Sequence, residues 1–258
     1  MNRTDIPVIV TAFGTTEKAF STYKKMDAVF RQAFPDNMIL WAYSSRMVKH
    51  ALKKKKKFNL KDPLEMAQIL AKKRHPWVVI QSLHMICGHE FDRLVAERDY
   101  VDIRSAIGLP LLTSHADYEK TAHALAPLFP RDPDEAVILV GHGTDHPAWT
   151  AYPALEGVVR KYHGDRIFVG VVEDFPDMNY TLARIQQAGY RKVTLIPLML
   201  VAGVHFKQDL TSGDSSWQKT FERNDIRVSV VDHGVGDVDE ITKIFCSHIA
   251  DALDVIPV

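Results

Sequence analysis

The side chains best suited to shared chemistry are His142, Glu173 and His205. Each stands at or just past the end of a short apolar run that reads as a strand. In an open parallel α/β sheet, ligands bind beyond the carboxyl ends of such strands. The three are far apart in sequence, so the fold would have to gather them. Two imidazoles and a carboxylate suit a borderline divalent ion such as cobalt, iron, nickel or zinc, and three protein ligands leave positions open for water or substrate. His142 and Glu173 are also the candidate proton acceptors, because an imidazole exchanges protons near neutral pH and a carboxylate offers a second base.

Each residue alone has a plainer role. A lone His after a buried strand is more often a hydrogen-bonded structural residue than a ligand. Gly141-His142-Gly143-Thr144 could cradle a phosphate at a helix N-terminus, although it lacks the P-loop Lys and the full dinucleotide glycine pattern. Glu173-Asp174-Phe175-Pro176 could cap the helix that begins near Asp177. The metal reading rests on the agreement of all three positions.

Short apolar runs must position these residues: Pro7 to Thr11, Met38 to Tyr43, Val78 to Leu83, Leu109 to Thr113, Ala136 to Val140, Ile167 to Val172, Val193 to Leu198 and Arg227 to Val231. They alternate with helix-period segments, which predicts βαβ units, mainly parallel sheets and the α/β class. Tyr23, Met26, Phe30 and Phe34 fall on one helical face, and Asp62-Pro63 starts another helix. The prolines of Phe129-Pro130-Arg131-Asp132-Pro133 mark a division into halves 1–129 and 130–258, the second holding the metal site. A last helix, from about Val238 to Leu253, is expected to cross back onto the first half.

The halves look alike. Val8 to Thr15 resembles Val137 to Thr144 at an offset of 129 positions, and the same offset sets Phe13 against His142 and Ser44 against Glu173. Leu83 to Phe91 matches Leu198 to Phe206 at an offset of 115, which sets Glu90 against His205. Two Rossmann-like copies are expected, with the chemistry concentrated in the second and a cleft between them.

Composition bounds the partners. The 258 residues are 46% hydrophobic and 25% charged, an ordinary globular balance with room for two cores. With 32 basic and 32 acidic side chains, no net field draws the chain to nucleic acid or to an anionic membrane. Lys53 to Lys57 reads as a solvated face. Cys87 and Cys246 suggest neither a disulfide framework nor a thiolate metal site. No run is long and apolar enough to span a bilayer and no export signal is visible, so the cytoplasm is the expected location.

The segments Thr11-Ala12-Phe13-Gly14-Thr15, Gln81-Ser82-Leu83-His84, Gly141-His142-Gly143-Thr144, Val172-Glu173-Asp174-Phe175-Pro176 and Ala202-Gly203-Val204-His205-Phe206 span nearly the whole chain. In them the sequence resembles the anaerobic sirohydrochlorin cobaltochelatases of the CbiK type, within the class II chelatase superfamily. That resemblance implies metal binding by His142, Glu173 and His205, and cobalt(II) insertion into sirohydrochlorin or a close precorrin without ATP. It implies no cofactor beyond the substrate metal; iron(II), nickel(II) and zinc(II) are the other ions to consider. Sirohydrochlorin ferrochelatase and a non-catalytic metal or tetrapyrrole carrier are the competing readings. Homo-oligomerisation is left open. Phe13, Gly14, Thr15, His84, Met85, Glu90, Met199 and Phe206 are the candidate macrocycle contacts, although Met and Phe near strand ends are more often core. Arg46, Lys49 and Lys207 are the candidates for its carboxylates.

Overall fold

The computed structural model describes residues 2–14, 20–44, 61–203, 206 and 208–257. Among them, one parallel sheet holds β1 (Val8–Ala12), β2 (Ile39–Tyr43), β3 (Trp77–Ser82) and β4 (Arg104–Gly108) in the order β2-β1-β3-β4. A second holds β5 (Ala136–Gly141), β6 (Ile167–Val171), β7 (Lys192–Pro197) and β8 (Arg227–Val230) in the order β6-β5-β7-β8. The helices are α1 (Phe20–Ala33), α2 (Pro63–Lys72), α3 (His89–Glu97), α4 (His115–Leu125), α5 (Ala151–His163), α6 (Met178–Gln187), α7 (Trp217–Glu222) and α8 (Asp239–Asp254). The class is α/β, and the strand order is the same in both sheets.

β1, β5 and β6 are buried at every position, as apolar runs in parallel strands should be when helices cover both faces. The first core gathers Ile9, Ala42, Leu70, Val78, Ile80 and Leu94. The second gathers Ile138, Val140, Phe168, Ile185, Leu195, Trp217 and Phe221.

Two compact units result, Met1–Thr113 with Asp239–Val258, and Ser114–Val238. The division falls ahead of the proline-marked segment at 129–133 because α4 packs on α5. Lys161 Nζ donates to Glu119 at 3.1 Å, and His163 Nε2 lies 3.1 Å from the Ala122 carbonyl. α8 packs on α1, β3 and β4, burying Ile241, Ile244, Phe245 and Ile249.

The fourth strand is Arg104–Gly108 rather than Leu109 to Thr113. Pro110 has no N–H for a ladder. Leu111 and Leu112 are buried, but as a loop, their N–H groups donating to the carbonyls of His84 and Met85 at 2.9 Å each. β4 lies at a sheet edge, where a more polar sequence is tolerated.

The repeat extends to individual hydrogen bonds. Leu83 N–H donates to the Thr11 carbonyl and Leu198 N–H to the Val140 carbonyl, both at 2.8 Å, which reproduces the offsets of 115 and 129. The second strands obey a different offset, 128, since Val8 pairs with Ile39 and Val137 with Ile167. Ser44 N–H therefore donates to Ala12 as Val172 N–H donates to Gly141. Ser44 is the counterpart of Val172, one residue away from the expected match to Glu173. The register position of Glu173 falls on Ser45, outside the described residues.

Candidate functional site

β5 ends at Gly141, so His142 is the first residue past its carboxyl end, and Glu173 follows two residues after β6. The strands are neighbours, with Gly141 opposite Val171. Pairing continues beyond them: Val172 N–H donates to the Gly141 carbonyl at 3.1 Å and Glu173 N–H to the His142 carbonyl at 2.8 Å. The side chains consequently leave the sheet side by side. His142 Nδ1 lies 3.7 Å from Glu173 Oε2, and both side chains are 65% exposed. That separation is too long for a hydrogen bond. It fits two donors on one ion, since bonds of about 2.0 to 2.2 Å at tetrahedral angles set ligand atoms about 3 to 4 Å apart.

The close approach depends on Gly143, whose φ is +94°, where a Cβ would lie 1.7 Å from the Glu173 carbonyl oxygen. Glycine is what lets one ligand loop lie on the other. Gly143 N–H donates to the Tyr152 hydroxyl at 3.2 Å, and burial raises the pKa of that phenol, which keeps it neutral. Unit one repeats the device: Gly14 has φ +102°, and its backbone N–H bonds the buried Tyr23 hydroxyl. There the position of His142 is taken by Phe13, 48% exposed.

The plainer uses find little support. Asp177, not Glu173, caps α6, its carboxylate accepting from Tyr180 N–H at 2.7 Å. Gly141 to Thr144 does not open α5, because a short 3-10 turn, Pro147–Thr150, intervenes, and Gly143 N–H is committed to Tyr152.

His205 and Thr15 lie outside the described residues, as do Arg46, Lys49, Lys53 to Lys57 and Lys207. Among the described residues no group of three His, Cys, Asp or Glu side chains forms a metal cluster, so His142 and Glu173 are what the structure brings together. Gly14, His84, Met85 and Glu90 belong to unit one with Phe13. His84 Nδ1 shares a 2.7 Å hydrogen bond with the Ser82 hydroxyl, its Nε2 is buried without a partner, and burial lowers its pKa to about 4. Met85 is half-buried. Glu90 is held by Arg93 at 2.6 Å, and Arg93 also donates to the Ser44 carbonyl at 3.2 Å. Met199 packs against the core of unit two, and Phe206, 6% exposed, lies within it. Burial gives the Phe206 ring a packing role rather than a surface for a ligand.

The Gly–Tyr lock escaped sequence reading, although its signal was present: Tyr23 and Tyr152 stand at the same offset of 129 as Gly14 and Gly143. So did the contacts of Trp149 with Phe175 and of Phe175 with Tyr180, rings on the segments that follow His142 and Glu173. Nothing in their spacing announces that they meet.

Residues 7–254 match the family model described as cobalt chelatase (CbiK). The chain is 31% identical over 255 residues to the sirohydrochlorin cobaltochelatase CbiKC of Nitratidesulfovibrio vulgaris, covering 95% of this chain and 90% of that protein. It is 33% identical over 225 residues to the sirohydrochlorin cobaltochelatase of Salmonella typhimurium, covering 85% of each. Among solved structures it is similar to SirB from Bacillus subtilis with Fe3+, at a TM-score of 0.68 and 9% identity over 96% of this chain and 95% of that one. That likeness shows the fold.

Proposed function

The chain belongs to the cobalt chelatase (CbiK) family, and on that premise we propose that it inserts cobalt(II) into sirohydrochlorin, without ATP, in anaerobic cobalamin synthesis. The observation that carries this reading is the His142–Glu173 pair, 3.7 Å apart and exposed past the carboxyl ends of adjacent parallel strands. His205 is the proposed third ligand. Imidazole nitrogen binds the incoming ion while the Glu173 carboxylate offsets its charge. A nitrogen lone pair engaged by the metal cannot accept a proton, so the pyrrole protons go to Glu173, or to His142 once the ion has left it. Phe13, Met85 and Met199 offer apolar surface to the ring, and Arg46, Lys49 and Lys207 offer charge to its carboxylates. No helix among the described residues is long and apolar enough to cross a membrane. A cytoplasmic enzyme acting on a tetrapyrrole and a divalent metal is the reading we favour.

The test is absorbance of metal-free sirohydrochlorin with cobalt(II) or iron(II), with and without protein. Accelerated cobalt insertion is expected. Binding without acceleration would identify a carrier, and acceleration by iron(II) alone a ferrochelatase. His142→Ala and His205→Ala should each lower the rate about 100-fold or more, as loss of a direct ligand does, with the thermal midpoint nearly unchanged. Wild-type turnover in both variants would reject the ligand assignment.

A further inference from the structure

The two ligand loops are joined by more than backbone. The loop after β5 carries His142 and continues through Asp145 into the 3-10 turn that presents Trp149. The loop after β6 carries Glu173, turns through Asp174 at φ +66°, presents Phe175, and closes where Val171 N–H donates to the Pro176 carbonyl at 2.9 Å. Between these loops the Trp149 and Phe175 rings meet edge to face, centroids 5.7 Å apart and planes at 79°. Phe175 also lies 4.8 Å from the ring of Tyr180, in the first turn of α6. The rings remain 37%, 44% and 45% exposed, so their mutual contact, rather than membership of the core, defines their place.

We propose that Trp149 and Phe175 form an aromatic brace that fixes the His142–Glu173 spacing and thereby sets affinity for the substrate metal. The inference rests on the metal-binding reading of that pair. The two residues are positioning residues, because neither carries a donor atom that would hold the ion. An edge-to-face pair favours one relative placement of its rings, and each ring stands on one ligand loop, Trp149 seven residues after His142 and Phe175 two after Glu173. Without the brace the ligand loops would still touch at Gly143, but the outer part of the Glu173 loop would lose its lateral support.

The experiment has two readouts. In steady-state insertion, Trp149→Ala and Phe175→Ala should raise KM for cobalt(II) about tenfold or more, the range seen when supports of metal ligands are removed. KM for sirohydrochlorin should stay unchanged, and Trp149→Phe, which keeps an edge-to-face ring, should restore most of the affinity. With cobalt(II) alone and no macrocycle, titration followed by tryptophan fluorescence should show quenching that disappears in Trp149→Phe and shifts to higher metal concentration in Phe175→Ala. A rise in the sirohydrochlorin KM instead would make the rings a macrocycle surface and overturn the brace. Wild-type metal affinity in both alanine variants would overturn it too. If wild-type protein neither binds cobalt(II) nor turns over, the metal-binding reading itself has failed, and the brace with it.

Discussion

At the scale of single residues, the site is most sensitive where there is no side chain at all. Gly143→Ala would place a methyl group against the Glu173 carbonyl and force a positive φ on an L-residue. We expect a loss of about 2 kcal/mol or more in urea unfolding, since strained backbone alone costs about 1 to 3 kcal/mol. Insertion should fall further than in Glu173→Gln, which keeps the shape of the loop. His84 gives a pH prediction. Burial, then the charge of Arg93, lowers its pKa to about 4, so the folded state holds it neutral. Between pH about 6.5 and about 4 the unfolded chain binds a proton that the folded chain does not, and stability falls as pH drops. Its contribution at pH 5 is a loss of about 2 kcal/mol relative to pH 7.5. His84→Leu should flatten that slope in urea titrations at the two pH values, and an unchanged slope would remove His84 as its cause. Residue types at strand ends made His142 and Glu173 legible from sequence, whereas contacts such as Trp149 with Phe175 depend on loop paths that no periodicity encodes.

At the scale of elements, hydrophobic patterning located seven of the eight strands among the described residues, because buried parallel strands are nearly continuous apolar runs. It failed at β4, where edge placement tolerates Arg104 and Ser105 while the apolar Leu111 and Leu112 are buried by a loop. Hydrophobicity reports burial and not ladder pairing. Charge placement inside elements was equally invisible. Glu156 of α5 is 9% exposed, accepts from Val169 N–H of β6 at 2.8 Å, and takes Arg184 of α6 at 2.9 Å through Nη1 and more closely through Nη2. Arg160 and Arg184 both lie over the Phe168 ring. This carboxylate thus ties two helices to the strand that delivers Glu173. Removing one partner of a buried pair leaves the other uncompensated, at about 3 to 5 kcal/mol, and partial exposure of the Arg184 side chain lowers the expected cost. Glu156→Ala should cost about 2 to 4 kcal/mol in chemical denaturation. Glu156→Gln, which can still accept from Val169, should cost less, and equal losses would show that shape rather than charge matters.

At the scale of the molecule, each half of the chain builds a four-stranded sheet, but the helix after its last strand joins the other unit. α4 leaves β4 and packs on α5, and α8 leaves β8 and packs on α1. The repeated Gly–Tyr lock and register argue for duplication of one sheet-and-helix plan, with His142 and Glu173 added to one copy only. A linear reading of prolines could not place the division, because the exchange of helices is set by which apolar face each finds. The amphipathic face of α8, with Ile241, Ile244, Phe245 and Ile249, should therefore stabilise β3 and β4, which are remote from it in sequence, rather than β7 and β8 just before it. Phe245 is fully buried, and Phe245→Ala should cost about 3 to 5 kcal/mol. Amide hydrogen exchange would locate the damage. Protection should fall first in β3 and β4, which α8 packs against, while β5 to β7 keep theirs, since local opening follows cooperative packing units rather than chain order. If β7 and β8, which immediately precede α8 in the chain, lost protection first, the helix would belong energetically to its own half, and the exchange would not divide the molecule's stability.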